Sequence, residues 1–140
     1  MINVISLDSR RKSAPVKPTV QQVIEFCVED ILDHWEKFAS NNRLNDYFIA
    51  SVPSWTNQSI NYLEDLTAVS IIEQKIDLPV QVVAPGFGSA EDPFPGWIAS
   101  FRLNGEIITT PFMVSEVYAR CFNIMLYLKI RRELVSNDLV

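Results

Sequence analysis

The dipeptide Asn104-Gly105 lies between two short apolar segments, and it constrains the fold more than any other feature of this sequence. On its N-terminal side, residues 97–103 alternate between apolar and mixed positions, and on its C-terminal side the chain continues as EIIT. A two-residue type I′ turn needs positive φ at both central positions, and Asn-Gly adopts this conformation readily. We therefore predict a β-hairpin, and with it an antiparallel sheet.

A third strand is predicted upstream of the hairpin. The segment VQVVA at 80–84 is rich in β-branched residues, which favour strands. Residues 85–96 separate it from the hairpin and contain three prolines and three glycines, a composition typical of a long loop.

The first helix is predicted by its start signal and by its apolar periodicity. Thr19 and Gln22 stand three residues apart, the arrangement of a capping box in which each side chain satisfies a free backbone donor. Apolar residues then recur at spacings of three and four, as on one face of a helix. They are Val20, Ile24, Cys27, Ile31, Trp35 and Phe38. The pattern predicts a helix over 20–40.

Two further helices are predicted. Ser54 is placed to cap the second, which runs to about Lys75, while 44–52 fits either a short helix or an irregular connection. The last helix begins either with Pro111 as its first residue after Thr110, or with Ser115 as its cap. Its apolar face is formed by Val117, Cys121, Ile124 and Leu128.

The predicted order α-α-β-β-β-α indicates a two-layer α+β fold, with a small three-stranded antiparallel sheet packed against about three helices. A length of 140 residues suits one domain, which we place at 19–140. Residues 1–18 contain two prolines and four cations, and they are predicted to form a flexible basic N-terminal arm.

Charge excludes several classes of partner. The net charge is −5, and the arm 1–18 carries +3, so the other 122 residues carry −8. Since nucleic-acid binding depends on cations that displace counterions, we expect no nucleic-acid partner.

No apolar run approaches the length of a membrane span, and we expect no membrane partner. The basic cluster follows the apolar N-terminal stretch, the reverse of a secretory signal, which indicates a cytoplasmic protein.

The reactive residue types show no catalytic arrangement. Cys27 and Cys121 both fall on predicted apolar helix faces, where cysteine is an ordinary core residue. His34 is the only histidine, and no serine stands in a GxSxG motif. The glycine-containing segment at Gly86 and Gly88 is not followed by the lysine of a phosphate-binding loop. The sequence therefore predicts no catalytic, metal or cofactor site, and a protein that is not an enzyme.

The loop at 85–97 is the predicted partner-binding site. It presents three aromatic residues in a segment rich in proline and glycine, together with two acids, and loops on a rigid scaffold often carry function. The predicted contact residues are Phe87, Glu91, Asp92, Phe94 and Trp97. The alternative interpretation is that the three rings fold back to cover one end of the core.

These observations predict a non-enzymatic accessory module that binds a protein partner. Self-association as a homo-oligomer is also expected, because apolar residues extend over most of the circumference of the last helix and its surroundings, and a helix of this kind is buried on both sides. The residues concerned are Phe112, Met113, Phe122, Met125 and Tyr127.

Two other functions stay open. One is a small-molecule-binding protein or enzyme with a pocket under the 85–97 loop, in which Arg102, Tyr118 or Arg120 supplies polar contacts. The other is a phage- or plasmid-type protein that inhibits or adapts a host machine, a class that fits the small size and acidic charge.

Overall fold

Three α-helices and a three-stranded antiparallel sheet make up the described part of the chain. The computed structural model describes residues 17–40, 44, 48, 62–86, 88, 90, 91 and 95–139. The elements are α1 (Val20–Ser40), a 3₁₀ turn (Tyr62–Glu64), α2 (Leu66–Lys75), β1 (Val82–Pro85), β2 (Trp97–Leu103), β3 (Glu106–Thr109) and α3 (Glu116–Ser136). This order confirms the predicted two-layer α+β fold, with the sheet in one layer and the helices in the other.

The starts of the two long helices agree with their sequence signals. Gln22 Oε1 accepts a hydrogen bond from the Thr19 backbone N–H at 2.8 Å, and Thr19 Oγ1 accepts one from the Gln22 N–H at 3.1 Å. At α3, Ser115 Oγ accepts from the Tyr118 N–H at 3.2 Å. Ser115 is therefore the cap of the last helix, and the alternative start at Pro111 was wrong.

The predicted hairpin is confirmed. Asn104 and Gly105 have φ of 52° and 83°, the positive values that a type I′ turn requires. β3 continues antiparallel to β2 with Leu103 opposite Glu106. β1 pairs antiparallel with the other side of β2, and it begins at Val82 rather than at residue 80.

The second helix begins later than the sequence pattern predicts. Residues 54–61 lie outside the described part of the chain, and from Tyr62 to Glu64 the backbone forms one 3₁₀ turn. Asp65 then leaves helical geometry with φ of −137°, and its side chain accepts from the Ala68 N–H at 3.0 Å. An aspartate that caps a new helix competes with continuation of the old one, so a helix running unbroken through this point was a wrong prediction.

The segment 44–52 is described only at Leu44 and Phe48. Both have helical backbone and are fully buried. The Phe48 ring packs edge-on against Tyr62 with a centroid separation of 4.9 Å, which joins this segment to the 3₁₀ turn.

The helix α3 is the centre of the core. Seven consecutive residues, 121–127, are buried, so the helix is covered around its circumference. On one side Tyr127 meets Phe101 of β2 at 5.2 Å between ring centroids, and on another Phe122 meets Trp35 of α1 at 5.5 Å. The chain's own elements therefore cover α3, and its apolar circumference is no argument for a second subunit.

A polar network at Arg120 ties α3 to α2. Its Nε donates to Glu73 Oε2 at 3.0 Å, and one Nη donates to Glu73 Oε1 and to Ser70 Oγ. Gln81, just before β1, donates to the same Glu73 carboxylate at 2.7 Å. The hydrogen bonds with Glu73 raise the pKa of Arg120 above its usual value. These groups hold α2, α3 and the approach to the sheet together.

Val80 adopts an unusual backbone conformation. Its φ is 48°, which is disfavoured for a β-branched residue, while its side chain is 66% exposed. Pro79 precedes it, and the Pro79 carbonyl accepts from the Arg102 N–H at 3.1 Å. This turn explains why β1 begins only at Val82.

Only Lys17 and Pro18 of the predicted arm 1–18 lie within the described residues. The Lys17 Nζ is 3.4 Å from Asp138 Oδ2 beyond the end of α3, and both side chains are exposed.

We predict that Glu73→Gln lowers the free energy of unfolding by about 3 kcal/mol, because it leaves the guanidinium of Arg120 at a mostly buried site without its main counter-charge. Glu116→Gln is the control: Glu116 contacts the same Arg120 at 3.2 Å but its side chain is 39% exposed. Its loss should cost less than about 1 kcal/mol. Urea denaturation of both variants measures this, and equal losses would contradict a dominant role for Glu73.

We predict that Val80→Gly stabilises the fold by about 0.5–1 kcal/mol. Removing Cβ relieves about 1–2 kcal/mol of left-handed strain, part of which is offset by the greater freedom of glycine in the unfolded chain. Val82→Gly, at an exposed position in a regular strand, should instead destabilise the fold by a similar amount. A loss of stability in both variants, measured by thermal unfolding, would show that Val80 is not strained.

Candidate functional site

One face of α1, next to its core face, lines a pair of clefts. The residues on this face recur at spacings of three or four, which places them along a single line on the helix. They are Gln21, Glu25, Val28, Leu32, Glu36 and Ala39. At a rise of 1.5 Å per residue this line is about 27 Å long.

The opposite wall is a continuous stretch of chain. β3 faces the N-terminal half of α1 across a cleft of about 350 Å³, which we call the N-terminal cleft. Residues 112–114 face the C-terminal half across a cleft of about 440 Å³, the C-terminal cleft. Because the two clefts follow one another on both walls, we treat them as one groove, the α1 groove.

Large apolar side chains surround the C-terminal cleft and remain in contact with solvent. Leu32 is 48% exposed, Phe112 52% and Val114 78%. Trp35 and Met113 are buried and also line the cleft, and Tyr118 packs edge-on against Trp35 at 5.9 Å between ring centroids. The cleft therefore has an apolar lining with an exposed apolar rim.

Backbone hydrogen bonds place the wall at 112–114. The Trp97 N–H donates to the Met113 carbonyl at 2.7 Å, and the Met113 N–H donates to the Trp97 carbonyl at 2.8 Å. Thr110 adds a side-chain contact, because its Oγ1 accepts from the Ala99 N–H at 3.1 Å. The segment after β3 is thus held against β2 even though it is not part of the sheet.

Two glycines let the base of the 85–96 loop approach this wall. The Gly86 N–H donates to the Gly96 carbonyl at 2.7 Å and closes the loop. A side chain at Gly86 would overlap the Phe112 ring, and a Cβ at Gly96, where φ is 138°, would lie 2.6 Å from the Met113 carbonyl. The loop therefore begins and ends beside the C-terminal cleft.

The charged residues that the structure describes along the groove are all acidic. Glu25, Glu29 and Glu106 line the N-terminal cleft, and Glu36 lines the C-terminal cleft. Among the described residues that line either cleft, none is Lys, Arg or His. These four carboxylates therefore contribute negative potential to the groove.

The residues predicted to bind a partner are only partly described. Phe87, Asp92 and Phe94 lie outside the described residues, and Glu91 is exposed. Trp97 is partly buried in β2 and packs against the core, where it pairs with Met113. The structure therefore brings Trp97 to the groove wall and leaves the predicted role of the loop residues as a prediction.

The sequence pattern did not identify the groove. Phe112 was grouped with the residues surrounding the core, but it is half exposed. Leu32 stands among acids on α1, three residues after Glu29 and four before Glu36, and a large apolar residue in such a setting was the available signal.

The polar residues considered for a small-molecule pocket are dispersed. Arg120 is engaged by Glu73 and Glu116, and Arg102 is exposed. Of these three residues, Tyr118 is the one that lines the C-terminal cleft. The structure does not bring these three side chains together.

His34 and its acidic neighbours form ordinary helix contacts. His34 Nδ1 lies 2.7 Å from the Asp30 carbonyl, and Asp30 Oδ2 lies 3.0 Å from Lys129 Nζ. The described residues include no group of three or more His, Cys, Asp or Glu side chains placed to hold a metal ion.

Both cysteines are buried free thiols, as expected of core residues. Burial raises the pKa of Cys27 from its usual value of 9.0 to about 11, and burial also raises the pKa of Cys121. Thiols held in the neutral form are poor nucleophiles.

No known protein family, curated protein or solved structure matches this chain significantly. None of the helices in the described part of the chain is both long and apolar enough to cross a membrane.

We predict that Cys27 makes the fold less stable at alkaline pH. Because its pKa is higher in the folded state, the unfolded chain binds fewer protons between pH 9 and 11, and the free energy of unfolding falls as pH rises through this window, by up to about 1.4 kcal/mol per pH unit. Cys27→Ala should lack this contribution. Denaturation of both proteins from pH 8 to 11 tests it, and parallel pH profiles would contradict it.

Proposed function

We propose that this chain is a non-enzymatic protein-binding module that acts through the α1 groove. The observation that carries the proposal is the exposure of Leu32, Phe112 and Val114 around one cleft. Full burial of a large apolar side chain contributes about 1.5–3 kcal/mol, and contiguous apolar patches on soluble proteins often mark interaction sites. A partner that covers these three side chains gains the share of this free energy that corresponds to their exposed surface.

The dimensions and charge of the groove favour a protein over other partners. A site about 27 Å long with two successive clefts suits an element of secondary structure from a partner chain. Its carboxylates repel phosphate groups, which disfavours a nucleic-acid or nucleotide ligand.

The 85–96 loop supplies the second part of the proposed interface. Because the loop starts and ends beside Phe112 and Met113, its residues can extend the apolar rim of the C-terminal cleft. Phe87 and Phe94 would then add aromatic contacts, and Glu91 and Asp92 would add to the negative charge. We place this binding in the cytoplasm, in keeping with two unpaired cysteines in the core. The protein partner of this interface can be a second copy of the chain.

We predict that a photo-crosslinking amino acid at Val114 captures a protein partner. The same amino acid at Val135 is the matched control, because Val135 is 66% exposed near the end of α3 and does not line the groove. Adducts should form at position 114 and not at 135, and mass spectrometry identifies their components. Purified protein tests for self-association, and cell extract tests for other partners.

The result at position 114 decides the proposal. A homodimeric adduct from purified protein would assign the groove to self-association, and a heteromeric adduct would assign it to another protein. An absence of adducts at position 114, or equal adducts at both positions, would overturn the groove as the binding surface.

A further inference from the structure

We infer that the occupant of the α1 groove is an extended, basic segment of a partner protein that pairs with the outer edge of β3. This inference rests on the proposed function and specifies the chemistry of the partner. It combines three observations, which are the edge of β3 that no described strand pairs with, the acidic lining of the groove and the apolar cleft at its far end.

The backbone of β3 offers hydrogen-bonding groups on the groove side. The sheet order is β1-β2-β3, and no other strand in the described part of the chain pairs with β3. The Thr110 N–H donates to the Ala99 carbonyl, so residues at even positions in this stretch face β2. Because orientation alternates along a strand, the N–H and C=O groups of Ile107 and Thr109 point away from β2.

The sequence leaves this edge without lysine, proline or a bulge. Strand edges are commonly blocked by lysine, proline or a bulge. β1, the other edge of the sheet, ends in Pro85 and follows the strained turn at Val80. β3 reads Glu-Ile-Ile-Thr, which contains neither proline nor lysine. α1 faces it only across the N-terminal cleft, which leaves an opening beside the edge.

Charge determines the side chains that the partner segment needs. Glu106 lies on the same face of β3 as the buried Ile108, and therefore towards the helix layer that contributes Glu25 and Glu29. Gln21 donates to Glu25 at 3.3 Å, and none of the described residues that line this cleft is a cation. Lysine or arginine on the helix-facing side of an added strand would meet all three carboxylates.

The opposite face of the added strand would be apolar. Ile107, which is 65% exposed, and Thr109 lie on the outer face of the sheet. Neighbouring strands place their side chains next to each other on one face, so β-branched residues beside Ile107 would bury it. A partner segment in which cations alternate with β-branched residues would therefore place the cations on one face of the added strand and the β-branched residues on the other.

The groove also sets the length of the segment. At about 3.3 Å per residue, eight residues span the 27 Å of the groove. The end of the segment then reaches the C-terminal cleft, where an aromatic side chain can pack among Leu32, Phe112 and Val114. The recognised segment is thus about eight or nine residues long, basic and β-branched in alternation, and aromatic at one end.

Synthetic peptides test the inference with the full chain. The probes are two capped nine-residue peptides in which lysine alternates with valine or threonine. One carries phenylalanine at its N-terminal end and the other at its C-terminal end. A matched peptide has glutamate in place of every lysine. Two further peptides carry N-methyl groups on alternate backbone amides, one set in each register. Isothermal titration calorimetry at low salt should show at least tenfold tighter binding of the basic peptide than of the acidic one, and at least tenfold loss for one methylated register only.

Variants of the protein locate the binding. Glu25→Gln with Glu29→Gln should weaken binding at least tenfold, whereas Asp33→Asn with Glu64→Gln removes the same charge at exposed positions outside the groove and should change it less than twofold. Val114→Ser should weaken binding and Val135→Ser should not. Thr109→Pro should also weaken it, because proline removes an outward-facing N–H and leaves the β2–β3 ladder intact. Circular dichroism confirms that each variant is folded.

Each other outcome contradicts the inference in a distinct way. Equal binding of the basic and acidic peptides, or no binding of either, would overturn the basic partner, while the crosslink at Val114 still decides the proposed function. Equal binding of both methylated peptides would overturn strand pairing. Binding that appears only after residues 1–16 are deleted would assign the groove to a segment of this chain instead of a separate partner.

Discussion

The rest of the structure depends on the burial of α3. The sheet covers one side of this helix through Phe101, α1 covers another through Trp35, and the 3₁₀ turn covers a third through a contact between Cys121 Sγ and the Tyr62 carbonyl at 3.8 Å. No other helix of the described chain contacts so many elements. Because α1 and the sheet pack on different sides of α3, they do not meet along their full length. The α1 groove is the space that this arrangement leaves open between them.

The groove therefore belongs to the architecture and does not result from poor packing. Ile24 of α1 and Ile108 of β3 are buried and line it, so its floor is part of the core, while Ile107 and Leu32, which also line it, remain exposed. Filling the groove from within would need a longer β3 or a fourth strand. Instead, the short segment 110–115 connects β3 to α3. Two backbone hydrogen bonds between Trp97 and Met113 hold this segment in place. A binding surface at this position therefore requires little loss of core packing.

Sequence reasoning succeeded where the determining interactions are local. The capping box at Thr19, the cap at Ser115 and the turn at Asn104-Gly105 each depend on residues within three positions of one another, and all three are confirmed. It failed at Asp65, where a local cap competes with an apolar pattern that would continue the helix. It also missed the groove, because the exposure of Phe112 is set by its distance from α1, about eighty residues away along the chain. Such distances have no local signature in a single sequence.

The packing of α1 on α3 has a consequence for synthesis of the chain. Glu116 begins α3 about 96 residues after Val20 begins α1. At about 5–20 residues per second, the ribosome completes the start of α3 roughly 5–20 s after that of α1. During this interval Ile31 and Trp35 lack the contact with α3, whereas β2, β3 and α3 are made consecutively and can fold together at once. The nascent chain therefore leaves the α3-facing side of its first helix without this partner for seconds, which is the period in which a chaperone would encounter it.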